Sequence, residues 1–148
     1  MSKEKIVSLL QGFTIELNPK VRFKLKSIPL DSKNHVYITY LPDALENDIL
    51  ETVEFVSNQK LTPIPHLPAR TMFDLDHVKS FLSELRKRTD SSKILVIGGG
   101  GDQKGNIQSS LDILDSGVLS EFGFHHIGIA GHPEGSPDIN QDTIDRYS

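Results

Sequence analysis

The sequence contains no cysteine, no long apolar run and no excess of basic residues. Without cysteine the chain has neither a disulfide framework nor a thiolate site. Its apolar runs are far shorter than the roughly 20 residues that span a bilayer, and residues 1–10 carry Glu4 in a broken apolar pattern, unlike a signal peptide. A net charge of −4 argues against nucleic-acid or membrane partners, which require a basic face. We therefore expect a cytoplasmic protein.

What is present is typical of one globular domain. The chain has 148 residues, of which 36% are hydrophobic and 24% charged. A chain of this length normally forms a single domain with a real hydrophobic core. We accordingly treat residues 1–148 as one domain.

Apolar patterning alternates between strand and helix. Short runs rich in β-branched and aromatic residues predict strands at 13–17, 35–40, 62–67, 94–97 and 126–130. Apolar residues at helical spacing predict helices at 45–59, 75–88 and 107–119, whereas the helical signal between 19 and 35 is weak. Alternating strands and helices predict an α/β fold built from βα units around a parallel sheet.

Four consecutive glycines, Gly98 to Gly101, follow the fourth predicted strand. They do not form a dinucleotide fingerprint, because Gln103 stands where a glycine is needed, nor a phosphate loop, because Lys104 precedes Gly105. A glycine-rich turn is one interpretation. Asp102 favours a ligand site, because parallel sheets bind ligands beyond the carboxyl ends of their strands.

Three polar side chains lie in or beside other predicted strands. Glu16 alternates with apolar neighbours, so it is either an ordinary outward carboxylate or, in a barrel, an interior acid whose burial favours the protonated form. Thr39 likewise either packs against its neighbours or makes a contact through its hydroxyl. His66 lies between prolines and is either a hydrogen-bonded structural residue or a functional one. No histidine pair has metal-motif spacing, so we expect no metal site.

Five segments in order resemble the methylenetetrahydrofolate reductases. They are "FTIELNP", "VYITYLP", "PIPHLPAR", "VIGGGGD" and "GIAGHPEGSPDI", and the similarity runs from about residue 12 to residue 147. The last segment is very specific and "PHLPAR" is fairly so, whereas the glycine run alone is a weak signal. The resemblance implies a TIM barrel that holds FAD at the carboxyl ends of its strands. It also implies a reaction of one-carbon metabolism, in which NAD(P)H reduces the flavin and hydride passes to 5,10-methylenetetrahydrofolate.

The same resemblance implies roles for individual residues. Glu16 matches the general acid that protonates the departing nitrogen of the folate ring, and Asp102 matches the carboxylate beside the flavin. The positions that match cofactor contacts are Thr39, His66, Gly101, Asp102, Ala130, His132 and Asp145. The chain departs from the family at Gly100, where an arginine is common, and at His132, where a tyrosine is frequent.

Five predicted strands cannot close an eight-stranded barrel, which takes about 250 residues. We therefore expect the N-terminal portion of a barrel, with a homo-oligomer or another partner, or further chain, supplying the rest. The alternative is a non-catalytic folate-binding or subunit-pairing module that keeps part of the fold and has lost flavin.

Overall fold

The computed structural model describes residues 12–130 together with Ser2, Glu4, Lys5 and Ser8. The strands are β1 (Thr14–Leu17), β2 (His35–Ile38), β3 (Thr62–Pro68), β4 (Lys93–Ile97) and β5 (His126–Ile129). The α-helices are α1 (Glu46–Asn58), α2 (Leu75–Arg86), α3 (Ser110–Asp115) and α4 (Val118–Glu121), and 3-10 helices cover Pro19–Ser27 and Ala69–Thr71. No helix in this described part is long and apolar enough to cross a membrane.

The five strands form one sheet in the order β1-β2-β3-β4-β5, and every neighbouring pair is parallel. This confirms the predicted α/β class. Within the described residues, β1 pairs only with β2 and β5 only with β4, so each leaves one edge open. A closed barrel stays a prediction.

The central strand β3 changes partner along its length. Its first four residues, Thr62 to Pro65, pair with β2, and its last three, His66 to Pro68, pair with β4. Pro63 and Pro65 have no backbone N–H to donate. Alternate residues of a strand direct their N–H groups toward the same neighbouring strand, and for these two prolines that neighbour is β4, which pairs only with the second half of β3. The Pro63 carbonyl instead accepts a hydrogen bond from the Ser91 hydroxyl at 2.9 Å, just before β4 begins.

The two faces of the sheet have different surroundings. One face carries the buried apolar residues of the strands and is covered by the amphipathic stripes of α1 and α2, which supply residues such as Val53 and Phe81 to one continuous core. The other face carries Glu16, Tyr37, His66 and Leu95, as the strand registers require. Ile64 and His66 are buried on that second face but lie outside the core cluster that α1 and α2 join, whereas Glu16 is exposed.

Two segments differ from the sequence prediction. The single helix expected at 107–119 is two short helices, separated at Gly117, whose φ of 73° is left-handed. Periodicity missed this break because the apolar spacing continues across the glycine. The weakly patterned segment after β1 forms a 3-10 helix whose first turn is capped by the Asn18 side chain, which accepts from the Lys20 N–H at 2.9 Å.

Candidate functional site at the carboxyl edge of the sheet

The predicted site residues that the structure describes all lie at the carboxyl edge of the sheet. Glu16 is in the second half of β1, His66 is in the second half of β3, and Thr39 and Ala130 each directly follow a strand. Gly101 and Asp102 lie in the loop after β4. His132 and Asp145 lie outside the described residues.

Glu16 and His66 are brought together across β2. The Glu16 Oε1 lies 3.9 Å from the His66 Nε2, which is too long for a hydrogen bond. The Glu16 side chain is 62% exposed, whereas that of His66 is 11% exposed. Burial lowers the pKa of His66, and the nearby Glu16 carboxylate only partly opposes that shift. A neutral imidazole therefore stands beside the carboxylate at neutral pH.

Glu16 is more exposed than a barrel interior requires. Alternation correctly predicts that it faces away from Leu17, which is buried in the core. The burial expected for an interior acid is absent at Glu16, which lies on the edge strand β1, whereas Ile64 and His66 on the central strand β3 are buried on the same face.

Tyr37 is a site residue that the sequence analysis missed. It lies on β2 directly beside Glu16, and its ring meets the His66 ring edge-on, with centroids 6.2 Å apart and planes at 69°. The signal was the alternation in "VYITY", which places Tyr37 and Thr39 on the same face. Tyr37 holds one side of the His66 imidazole and so limits its orientation.

Thr39 continues the pairing of β1 with β2. Its N–H and its hydroxyl both donate to the Leu17 carbonyl, at 3.1 Å and 3.4 Å. The hydroxyl oxygen keeps lone pairs that can still accept a hydrogen bond. Thr39 therefore secures the end of β1 against β2.

The glycine-rich loop, residues 98–106, lies along the segment that follows β3. Arg70 N–H donates to the Gly98 carbonyl at 3.0 Å, and Lys104 N–H donates to the Arg70 carbonyl at 2.8 Å. Asn106 N–H donates to the Phe73 carbonyl at 2.8 Å. Backbone contacts thus fix both ends of this loop against residues 70–73.

Two glycines of this loop are required by close packing. Gly99 has a left-handed φ of 86°, and a Cβ there would lie 2.8 Å from the Pro68 Cβ. A Cβ on Gly105 would overlap the Phe73 backbone. The interpretation of the glycine run as a structural turn therefore explains part of it. Gly98 differs, because a Cβ there would meet nothing within 4 Å and the backbone borders open space.

The glycine-rich loop also carries Asp102 to the end of β2. The Lys104 Nζ donates to the Pro42 carbonyl at 3.1 Å, which ties the loop to the segment after β2. Asp102 is exposed and makes no hydrogen bond or ion pair with another described residue. The sheet thus gathers two carboxylates at one edge: Glu16 in contact with a histidine, and Asp102 without a protein partner in the described part.

A scan of the sequence against known protein families finds no family whose model matches. No group of three or more His, Cys, Asp or Glu side chains that could hold a metal ion occurs within residues 12–130 or the four described residues before them. The polar groups at this edge are the Thr39 hydroxyl, the His66 imidazole, the Glu16 and Asp102 carboxylates and backbone groups of the glycine-rich loop.

We expect Gly105→Ala to destabilise the protein, because the new methyl group would overlap Phe73 and displace the glycine-rich loop. Overpacking of this kind typically costs about 1 to 3 kcal/mol. Gly98→Ala is the matched control, since its methyl group would enter open space. Urea denaturation of both variants measures the effect, and equal stability of the two would contradict this account of the loop.

We also expect stability to depend on the protonation of His66. Its folded pKa lies below the ordinary value of about 6.5, so the unfolded state binds more protons between the two pKa values. The free energy of unfolding should therefore fall as the pH drops through about 6.5 toward the lowered folded pKa. His66→Gln should make that fall shallower.

His35 should contribute in the same direction, because burial, and then Lys93, lowers its pKa. His35→Gln should therefore also make the fall of the unfolding free energy with decreasing pH shallower, and the double variant with His66→Gln should do so most. Denaturant titrations at several pH values measure each slope. A His66→Gln slope equal to that of the wild type would show that burial does not govern this imidazole.

Proposed function

We propose that this chain is the N-terminal portion of a flavin-dependent methylenetetrahydrofolate reductase, which uses NAD(P)H to form 5-methyltetrahydrofolate. The observation that carries the proposal is the joint placement of Glu16 and His66, 3.9 Å apart at the carboxyl edge, with the loop of Asp102 at the same edge. These residues lie in three of the five segments that carry the sequence resemblance. They are distant in sequence, so their placement is independent support for the resemblance.

The proposal includes a (β/α)8 barrel. Five parallel strands, of which β1 and β5 each leave one edge unpaired within the described residues, support it, because a barrel pairs both edges and fills its interior with side chains. Three further strands would come from outside the described residues, either from more of the chain or from a partner subunit. They would also cover Glu16.

The residues at this edge fit a flavin. Thr39 offers a hydroxyl, His66 an imidazole, and Gly101 its backbone, while the space beside Gly98 is open. Bound FAD would supply hydride chemistry, taking hydride from NAD(P)H and giving it to the folate. The chain's own residues would orient it at the strand ends, and the neutral His66 would contact it without adding charge.

Two carboxylates would have separate roles in the reaction, one as a proton donor and one as a fixed negative charge. Glu16 would deliver a proton to the nitrogen that departs when the five-membered ring of the folate opens. Asp102 would lower the energy of positive charge that develops on the substrate, because a fixed anion stabilises nearby developing cation charge. Its lack of a cationic partner among the described residues leaves its charge available for this role.

A second candidate is a folate-binding or subunit-pairing module without flavin. It is favoured by the exposed apolar surface of β5, where Ile127 is 39% and Ile129 is 46% exposed. It is favoured also by Gly100, which stands where the resembled family commonly has an arginine. The visible absorption of purified protein, before and after addition of FAD, separates the two candidates, because only the reductase would show bound flavin.

For the flavin-loaded protein, we expect Glu16→Gln to slow folate reduction by about 10² to 10⁴, the usual contribution of general acid catalysis. The amide keeps the shape of the side chain but cannot deliver the proton. Reduction of the flavin by NAD(P)H should survive, since it needs no proton from Glu16. Stopped-flow bleaching and reoxidation of the flavin follow the two half-reactions separately.

Glu54→Gln is the control, because it neutralises an exposed carboxylate on α1 away from this edge. It should leave both half-reactions unchanged. Equal loss of both in Glu16→Gln would indicate a collapsed site. Little loss in either would remove Glu16 from the mechanism and with it the main support for the proposed function.

A further inference from the structure

His77, on the first turn of α2, joins two other parts of the chain through its two ring nitrogens. Its Nε2 lies 2.8 Å from the Glu46 Oε2 at the start of α1. Its Nδ1 accepts a hydrogen bond from the Phe73 N–H at 3.2 Å. Both contacts are satisfied when the ring carries its proton on Nε2, so that Nε2 donates to the carboxylate and Nδ1 accepts.

The His77 ring is held in this orientation by further contacts. The Asp74 carboxylate caps α2 by accepting from the His77 N–H at 2.8 Å. The Phe73 ring stacks on the imidazole, with centroids 5.4 Å apart and planes at 28°. His77 and Glu46 are also shielded, with side chains 24% and 30% exposed. The imidazole is therefore preorganised to hold the Phe73 backbone.

Phe73 in turn holds the far end of the glycine-rich loop. Its carbonyl accepts from the Asn106 N–H at 2.8 Å, and Gly105 packs directly against its backbone. The N–H of the same residue is the group bound by His77. A continuous set of contacts therefore runs from Glu46 through His77 and Phe73 to the loop that bears Asp102.

We propose that Glu46 and His77 are positioning residues that fix the glycine-rich loop, and with it Asp102, at the carboxyl edge of the sheet. Neither residue has to touch a ligand, because both act through the Phe73 backbone. The positioning of the loop stands on the described contacts, whereas its consequence for a flavin rests on the proposed function.

A purely structural role would have a different signature. If the pair served only to anchor the start of α2, its loss would loosen the first turn of that helix and leave the loop unaffected. If it positions the loop, the Lys104 and Asn106 amides should lose protection, because their acceptors are the Arg70 and Phe73 carbonyls. Amide hydrogen exchange at these two residues distinguishes the two roles without any cofactor.

The decisive variant is His77→Phe, which keeps a ring to stack on Phe73 and removes both polar contacts. We expect exchange at Lys104 and Asn106 to rise about 3- to 10-fold, the effect of losing a typical hydrogen bond. Glu46→Gln is the matched control, since its amide oxygen still accepts from Nε2, and it should preserve protection. Unchanged exchange at both amides in His77→Phe would overturn the proposal, and so would an equal rise at Val53 in the core of α1, which would indicate global loosening.

A second measurement tests the consequence for the cofactor. With FAD bound, His77→Phe should shift the midpoint potential in the same direction as Asp102→Asn, because both change the negative charge beside the flavin, whereas Glu46→Gln should not. A His77→Phe potential equal to that of the wild type would overturn the link to Asp102. If the wild-type protein binds no flavin, the proposed function fails, and the exchange measurement alone decides whether the pair positions the loop.

Discussion

The sheet depends on how its central strand distributes hydrogen bonds. β3 contains three prolines and yet lies between two parallel neighbours, a place where proline is normally excluded. It is tolerated because pairing is divided: the first half of β3 bonds to β2 and the second half to β4. The Ser91 hydroxyl satisfies the Pro63 carbonyl that would otherwise lack a strand partner.

This division determines where the candidate site lies. His66 is the first residue of β3 that pairs with β4, so it stands where the strand changes partner. Pro65 restricts its own φ, and each proline biases the residue before it toward extended backbone, so the chain around His66 has little freedom. The imidazole is consequently held on the face of the sheet that carries Glu16, beside Tyr37 and 3.9 Å from the Glu16 carboxylate.

Local patterning predicted the elements that bury an apolar stripe. The spacing in α1 and α2 and the apolar runs of β2 and β4 were sufficient, because burial on one side of a regular element imposes its period on the sequence. Alternation also gave the correct face for Glu16. The interruption at Gly117 was missed because the apolar period continues through it.

What the sequence did not reveal are contacts between residues far apart along the chain. Glycine is needed at position 105 because a side chain there would overlap the Phe73 backbone. The exposure of the Glu16 side chain depends on which other parts of the chain pack against β1. The pairing of Glu46 with His77 likewise joins residues 31 positions apart. None of these leaves a period or a motif, because each depends on how separate loops meet at the end of the sheet.

The two carboxylates of the site are held by different means, and β3 connects them. Glu16 is on a strand and meets His66, whose backbone is part of the sheet ladder. Asp102 is on a loop that is fixed by backbone hydrogen bonds to residues 70–73, the direct continuation of β3. A proton donor must keep its distance to one nitrogen, which a strand provides, whereas a charge that stabilises a developing cation acts over a longer range and tolerates a loop. Under the proposed function, Glu16 on its strand and Asp102 on its loop are therefore both positioned relative to β3. A shift of the segment after β3 would move Asp102 while leaving Glu16 in place.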